Sequence, residues 1–270
     1  MGPDDVDSTL RSLVDSGSGL LAVGDVGVAE RTPLVVRRDD SGTWTSLDAS
    51  DFGDEARTLF QAYNLDGVTI AIGNIELPDG AVINGIWLTE DAGDSWTAAS
   101  FDDLGVPEEI FFTDAAALGD TFVLTGWYQV PGEVRTAALP WVSTDRGQTW
   151  VAVEDSAFDV GTESIQLNGV TTFDDRFVAT GGVAVGQEFA PEVWTSADGA
   201  TWTRASATFA DDETRFDTQG LRAVGVRTNG TTLVAYSSSP WETNIWSSTC
   251  LLYTSPSPRD RTRSRMPSSA

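Results

Sequence analysis

Ser143-Thr144-Asp145-Arg146-Gly147-Gln148-Thr149-Trp150 has the form Ser-x-Asp-x-Gly-x-x-Trp, and the chain uses it more than once. Thr89-Glu90-Asp91-Ala92-Gly93-Asp94-Ser95-Trp96 repeats it with Thr for Ser, and Ser196-Ala197-Asp198-Gly199-Ala200-Thr201-Trp202 is one residue shorter. Asp40-Ser41-Gly42-Thr43-Trp44 reads as a degenerate copy. Asp followed by Gly and polar residues, between apolar runs, signals a hairpin turn. The carboxylate accepts backbone N–H bonds inside the turn, and Gly supplies a conformation that a Cβ penalises. Trp then opens the next strand with a large ring to bury. On this reading Asp40, Trp44, Asp91, Gly93, Trp96, Ser143, Asp145, Gly147, Trp150, Ser196, Asp198 and Trp202 build turns, and no aspartate among them serves catalysis or a metal.

The turn recurs with a fixed period. Its Trp residues fall at 44, 96, 150 and 202, and a second Trp series runs 87, 141, 194 and 246. A third marker is a short apolar run in each unit: Leu20–Gly24, Val68–Gly73, Phe122–Gly126, Phe177–Gly181 and Leu233–Tyr236. Such a period marks one supersecondary unit per repeat. In the third unit the pattern predicts strands near Glu109–Thr113, Phe122–Gly126, Ala137–Thr144 and Trp150–Val153, with a turn at Leu118-Gly119-Asp120. Four short strands per repeat without helical periodicity predict an all-β chain, a β-propeller of four-stranded antiparallel blades. The units span about residues 7–50, 57–100, 108–154, 163–206 and 218–249, four blades and three strands of a fifth.

The repeated turn resembles the Asp-box, or bacterial neuraminidase, repeat of sialidases and related β-propellers. In that family the box turns lie away from the ligand. The resemblance therefore implies a binding face built from the strand two-to-three loops and the blade-to-blade links. Trp127, Tyr128, Phe189 and Trp241 are the aromatic candidates there. A sialidase uses an arginine triad for the substrate carboxylate, a Tyr nucleophile with a Glu partner and an Asp acid/base. Arg57, Arg135 and Arg215 are the matching arginines, and Tyr128 with Glu133 is the matching pair. The Arg-Ile-Pro motif of the family is absent from the sequence. The linker motifs Phe52-Gly53-Asp54, Phe101-Asp102-Asp103, Phe158-Asp159 and Phe209-Ala210-Asp211-Asp212 place Phe residues to wedge between blades.

Composition narrows the partners. The net charge is -25 over 270 residues, and His is absent. Such a chain lacks the cationic contacts that nucleic acid requires, and no apolar stretch is long enough for a membrane helix. Without His the commonest general base and metal ligand are missing. No cofactor is expected; oxygen-only ligation would suit Ca²⁺ alone. Met1–Val6 has neither the basic nor the apolar region of a signal peptide. The expected setting of the parent protein is extracellular, periplasmic or at the cell surface.

Residues 250–270, Cys250 to Ala270, break the pattern with Arg259, Arg261, Arg263 and Arg265. The segment resembles a translated sequencing-library adapter, with the transposase end at Cys250–Asp260, and is expected to be a disordered tail of a truncated gene. Two functional readings follow from the resemblance. The first is a non-catalytic scaffold that binds protein or carbohydrate, like sialidase-like repeat proteins of exported lipoproteins or photosystem-assembly factors. The alternative is an exo-α-sialidase fragment lacking part of its active site.

Overall fold

The computed structural model describes residues 7–28, 30–101, 110–185, 188–205, 223–238 and 243–248. Arg215, Trp241 and the adapter-like segment 250–270 lie outside the described residues. Within them, the regular elements are strands apart from two single 3-10 turns, Ser50–Phe52 and Ser156–Phe158. The chain divides into two compact units, residues 1–109 with 143–150, and residues 110–142 with 151–270.

The first unit holds two antiparallel meanders. One is β1 (Ser8–Asp15), β2 (Leu20–Val26), β3 (Thr32–Arg38) and β4 (Trp44–Ser46). The next is β5 (Ala56–Leu65), β6 (Val68–Glu76), β7 (Val82–Thr89) and β8 (Thr97–Ala98). A two-residue strand, β9 (Ser100–Phe101), then pairs in parallel with Thr149 and Trp150. Phe52, on the 3-10 turn between the meanders, closes their joint core. Its ring lies 5.3 Å from Trp87 and 5.1 Å from Trp96, in a cluster with Leu21, Val35 and Leu59.

The second unit continues the pattern. Its first sheet contains β10 (Ile110–Leu118), β11 (Thr121–Gln129), β12 (Thr136–Ala138), β13 (Trp141–Ser143) and β14 (Thr149–Ala152), of which residues 143–150 are grouped with the first unit. The third strand expected over Ala137–Thr144 is thus two strands. Pro140 has no N–H to donate, so the ladder breaks at Leu139-Pro140. The following sheet is β15 (Ile165–Phe173), β16 (Arg176–Val185), β17 (Glu188–Ser196) and β18 (Thr203–Ala205). The last is β19 (Ala223–Thr228), β20 (Leu233–Ser238) and β21 (Thr243–Ser248). Phe158 plays the part of Phe52 here, with ring contacts to Trp194 at 5.7 Å and Trp202 at 5.8 Å. It joins Val142 and Val153 to Leu167 and Phe177 in one core.

A feature absent from the sequence reading recurs where the first strand meets the second. Each of the first four sheets carries a β-bulge there, with Arg11, Phe60, Thr113 and Asn168 as the extra residues. The residue facing the bulge is Gly24, Gly73, Gly126 or Gly181. A bulge bends its strand and displaces one carbonyl toward the neighbour. A Cβ on these glycines would collide with the carbonyl oxygen of Thr9, Thr58, Phe111 or Gln166, at 2.7 Å in the case of Phe111. The glycine that ends each of the first four apolar runs is therefore a steric requirement of the strand beside it.

The degenerate turn differs from expectation. Its acceptor is Asp39 rather than Asp40: Asp39 Oδ1 receives the Ser41 hydroxyl at 2.6 Å and the Thr43 N–H at 2.9 Å. Counting from Asp39 puts Trp44 five residues on, as Trp150 is from Asp145. Trp44 nevertheless stays 46% exposed, whereas Trp96, Trp150 and Trp202 are buried. Arg37 stands where the other copies have Ser or Thr, so this turn lacks the hydroxyl that knits them together.

Candidate functional site

In an up-and-down sheet the turn between strands three and four lies at one end, and the hairpin between strands two and three lies at the other. The two ends use their polar groups differently. At the aspartate end, Asp145 Oδ1 accepts from the Ser143 hydroxyl (2.7 Å) and the Thr149 N–H (2.9 Å). Its Oδ2 accepts from the Thr149 hydroxyl at 2.7 Å. Ser143 Oγ in turn receives the Gly147 N–H at 2.8 Å. Asp91 binds Thr89 and Ser95 in the same way, and Asp198 binds Ser196, Ala200 and Thr201. Arg146 and Gly147 both have positive φ, 59° and 90°, as the tight turn demands.

These bonds set the charge state. Burial pushes Asp145 upward, but the bonds from Thr149 and Ser143 outweigh it and hold the carboxyl below its usual value. Asp91 behaves likewise through Ser95 and Thr89. For Asp198 the Thr201 N–H is the largest influence, and the result is again a lowered value. Each carboxylate spends both its charge and its lone pairs within its own turn.

Two further aspartates were not singled out by sequence. Asp51 Oδ2 accepts the N–H of Trp96 at 2.9 Å, and Asp155 Oδ2 accepts that of Trp202 at 3.0 Å. Each stands in the link before a sheet and ties that link to the Trp at the sheet's far edge. Both precede the Phe of the linker motif, so the acid upstream of Phe was the available signal. Asp114, buried in β10, was also missed. It receives the Val170 N–H at 3.1 Å and Arg227 Nη1 at 2.6 Å, joining the first strands of three successive sheets. Desolvation raises its pKa above the ordinary carboxylate value, and the charge of Arg227 only partly offsets this.

At the hairpin end the sequence candidates fall into separate groups. Arg57 occupies a second irregularity of β5, in the first unit. Its Nε binds Glu76 Oε2 at 2.8 Å and its Nη1 the Asp54 carbonyl at 2.7 Å. Tyr128, Glu133 and Arg135 belong to the second unit. Arg135 Nε pairs with Glu133 Oε2 at 2.5 Å within the β11–β12 hairpin. Gln129 Nε2 braces that hairpin through the carbonyls of Glu133 (2.6 Å) and Arg135 (3.1 Å). Tyr128 lies opposite Ile110 on one side and Ala137 on the other. Phe189 lies in β17, paired with Ala184.

Trp127 has a partner that sequence reasoning did not supply. Phe111 faces it across β10 and β11, with ring centroids 4.3 Å apart and planes within 19°. Phe111 remains 40% exposed. Among the described residues no group of three or more Asp, Glu, Cys or His is placed to hold a metal ion.

No protein-family model matches the sequence, and no curated protein matches it. Solved structures do. The GH93 α-L-arabinofuranosidase of Fusarium graminearum, solved with arabinobiose, superposes with a TM-score of 0.55 at 14% identity, over 91% of this chain and 79% of that one. A Hadza microbial sialidase gives 0.55 at 14% identity, over 90% of this chain but 57% of its own. Trypanosoma rangeli sialidase with the inhibitor DANA gives 0.51 at 15%, over 88% and 43%. At such identity the likeness concerns the fold. The chain is an all-β, sialidase-like propeller of four-stranded antiparallel blades, the fifth with three strands among the described residues.

Proposed function

We propose that this propeller is a binding scaffold without turnover, taking a carbohydrate or protein ligand at the hairpin end, opposite the aspartate turns. The observation that carries this reading is the pairing of its arginines. A sialidase presents guanidinium groups to the carboxylate of its substrate. Here Arg57 is held by Glu76 and Arg135 by Glu133, so each positive charge is matched inside its own sheet. Glu133, the candidate partner of a Tyr128 nucleophile, is engaged by the same pair.

Several properties agree with an exported, soluble-ligand role. Among the described residues no helix is long and apolar enough to cross a membrane. A net charge of -25 disfavours nucleic acid and suits a strongly solvated surface. No cofactor enters the reading. An extracellular, periplasmic or cell-surface setting for the parent protein goes with it.

The second reading, an exo-α-sialidase fragment, is favoured by the likeness to the two sialidases. Hydrolysis of a fluorogenic sialoside separates the two. The scaffold reading expects no release of fluorophore above background across pH 4–8, roughly the range in which paired carboxyl groups serve as acid and base. Turnover that disappears in Tyr128→Phe while the thermal transition stays in place would establish the enzyme instead.

A further inference from the structure

We infer that the Phe111–Trp127 stack and the β11–β12 hairpin beside it form a subsite for a neutral, hydroxyl-rich sugar ring. The inference rests on the scaffold reading and names its ligand.

The register builds the platform. Phe111 on β10, Trp127 on β11 and Ala138 on β12 stand opposite one another, so their side chains share one face of the sheet. Ala138 is small and buried in the core, and Phe111 is the exposed member of this row. Among the described residues β10 is the edge strand of its hydrogen-bonded sheet, and Phe111 on it keeps 40% of its surface exposed. A flat ring stack with exposed area is the surface that the C–H face of a sugar ring covers well, with apolar burial on one side and hydroxyls pointing outward.

The polar groups for those hydroxyls lie next along the strand. Gln129 sits two residues beyond Trp127, on the same face by the period of a strand. Its amide nitrogen is committed to the hairpin carbonyls, which fixes its orientation and leaves its Oε1 as an acceptor. Glu133 Oε1 extends the acceptor set. Such a set welcomes hydroxyl donors and rejects a carboxylate. The one guanidinium of the hairpin, Arg135, is neutralised by Glu133 at 2.5 Å, and the chain as a whole is acidic. A neutral sugar therefore fits better than a sialic acid.

A protein partner fits less well. A protein hot spot needs a fully desolvated apolar patch with several anchors. Among the described residues of β10 to β12 and their connections, the exposed large apolar side chains are Phe111 and Val134, and Val134 is 99% exposed at the hairpin tip.

Isothermal titration of the full chain with arabinobiose, cellobiose and 3′-sialyllactose tests the assignment. Binding of a neutral disaccharide at millimolar concentration is expected, weakened at least about tenfold in both Trp127→Ala and Phe111→Leu. Both side chains are partly exposed, and an unchanged thermal transition in Phe111→Leu shows that only the flat ring has been lost. Neutral-sugar binding that survives both substitutions overturns the subsite and leaves the scaffold reading standing. Preference for 3′-sialyllactose overturns the neutral assignment. Binding of none of the three sugars also overturns the subsite, and leaves a protein as the scaffold's ligand. Failure of the scaffold reading would show instead as sialoside turnover.

Discussion

The first four sheets and the fifth solve the same packing problem in opposite ways. In the first four, a bulge in the first strand pushes a carbonyl against the second strand, which carries Gly24, Gly73, Gly126 or Gly181 at that point. In the fifth, β19 and β20 pair without a shift, and the second strand carries Tyr236. The glycine has moved to the first strand: Gly225 stands opposite, where a Cβ would run into the Tyr236 ring. One intersection thus needs room for a carbonyl and the other for an aromatic ring. A glycine can be demanded by backbone or by side chain, and only the second demand is removable by mutation.

That contrast can be broken most severely at Gly181. Gly181→Ala forces a methyl into the Gln166 carbonyl, and a loss near the top of the range for overpacking, about 3 kcal/mol, is expected in urea unfolding. Truncating any neighbouring side chain should not restore it, because the obstacle is main chain. A stable Gly181→Ala protein would show that the bulge is dispensable.

Gly225→Ala should cost less, about 1–2 kcal/mol, since the obstacle is a side chain that is 36% exposed and has somewhere to swing. The second substitution Tyr236→Ala should recover most of that loss. A double-mutant cycle that shows simple additivity would remove the distinction between the two kinds of glycine.

The smallest effect concerns the tie between the fifth sheet and the third. Asp114 is raised by desolvation in the folded state, and Arg227 from β19 partly compensates. A carboxyl raised on folding contributes stability that is fully present below its unfolded value of 3.8 and is lost as pH rises through the folded one. Arg227→Ala removes the compensating charge and should steepen that loss. The variant's deficit in melting temperature should therefore be larger at pH 7 than at pH 4. An equal deficit at both would mean that Arg227 acts on stability without acting through Asp114.

The two kinds of aspartate make a matching contrast. Asp91, Asp145 and Asp198 are held low by donors within four residues, so Ser-x-Asp-x-Gly-x-x-Trp announces them. Asp39 was missed in favour of Asp40 because Arg37 breaks the hydroxyl signature, although the five-residue step to Trp44 was there to count. Asp114 has a donor 56 residues away and another 113 away, and no local pattern could report either.

By itself the sequence determined what repeats: the aspartate turns, the Trp series, the glycine closing the first four apolar runs, and hence four-stranded sheets in succession. Those features rest on contacts between residues close along the chain, where spacing is geometry. Tertiary structure alone decided which strand is broken at Pro140, why Gly24 and its counterparts must be glycine, and that Phe111 meets Trp127. These depend on register, and a shift of one residue in pairing turns every side chain to the other face.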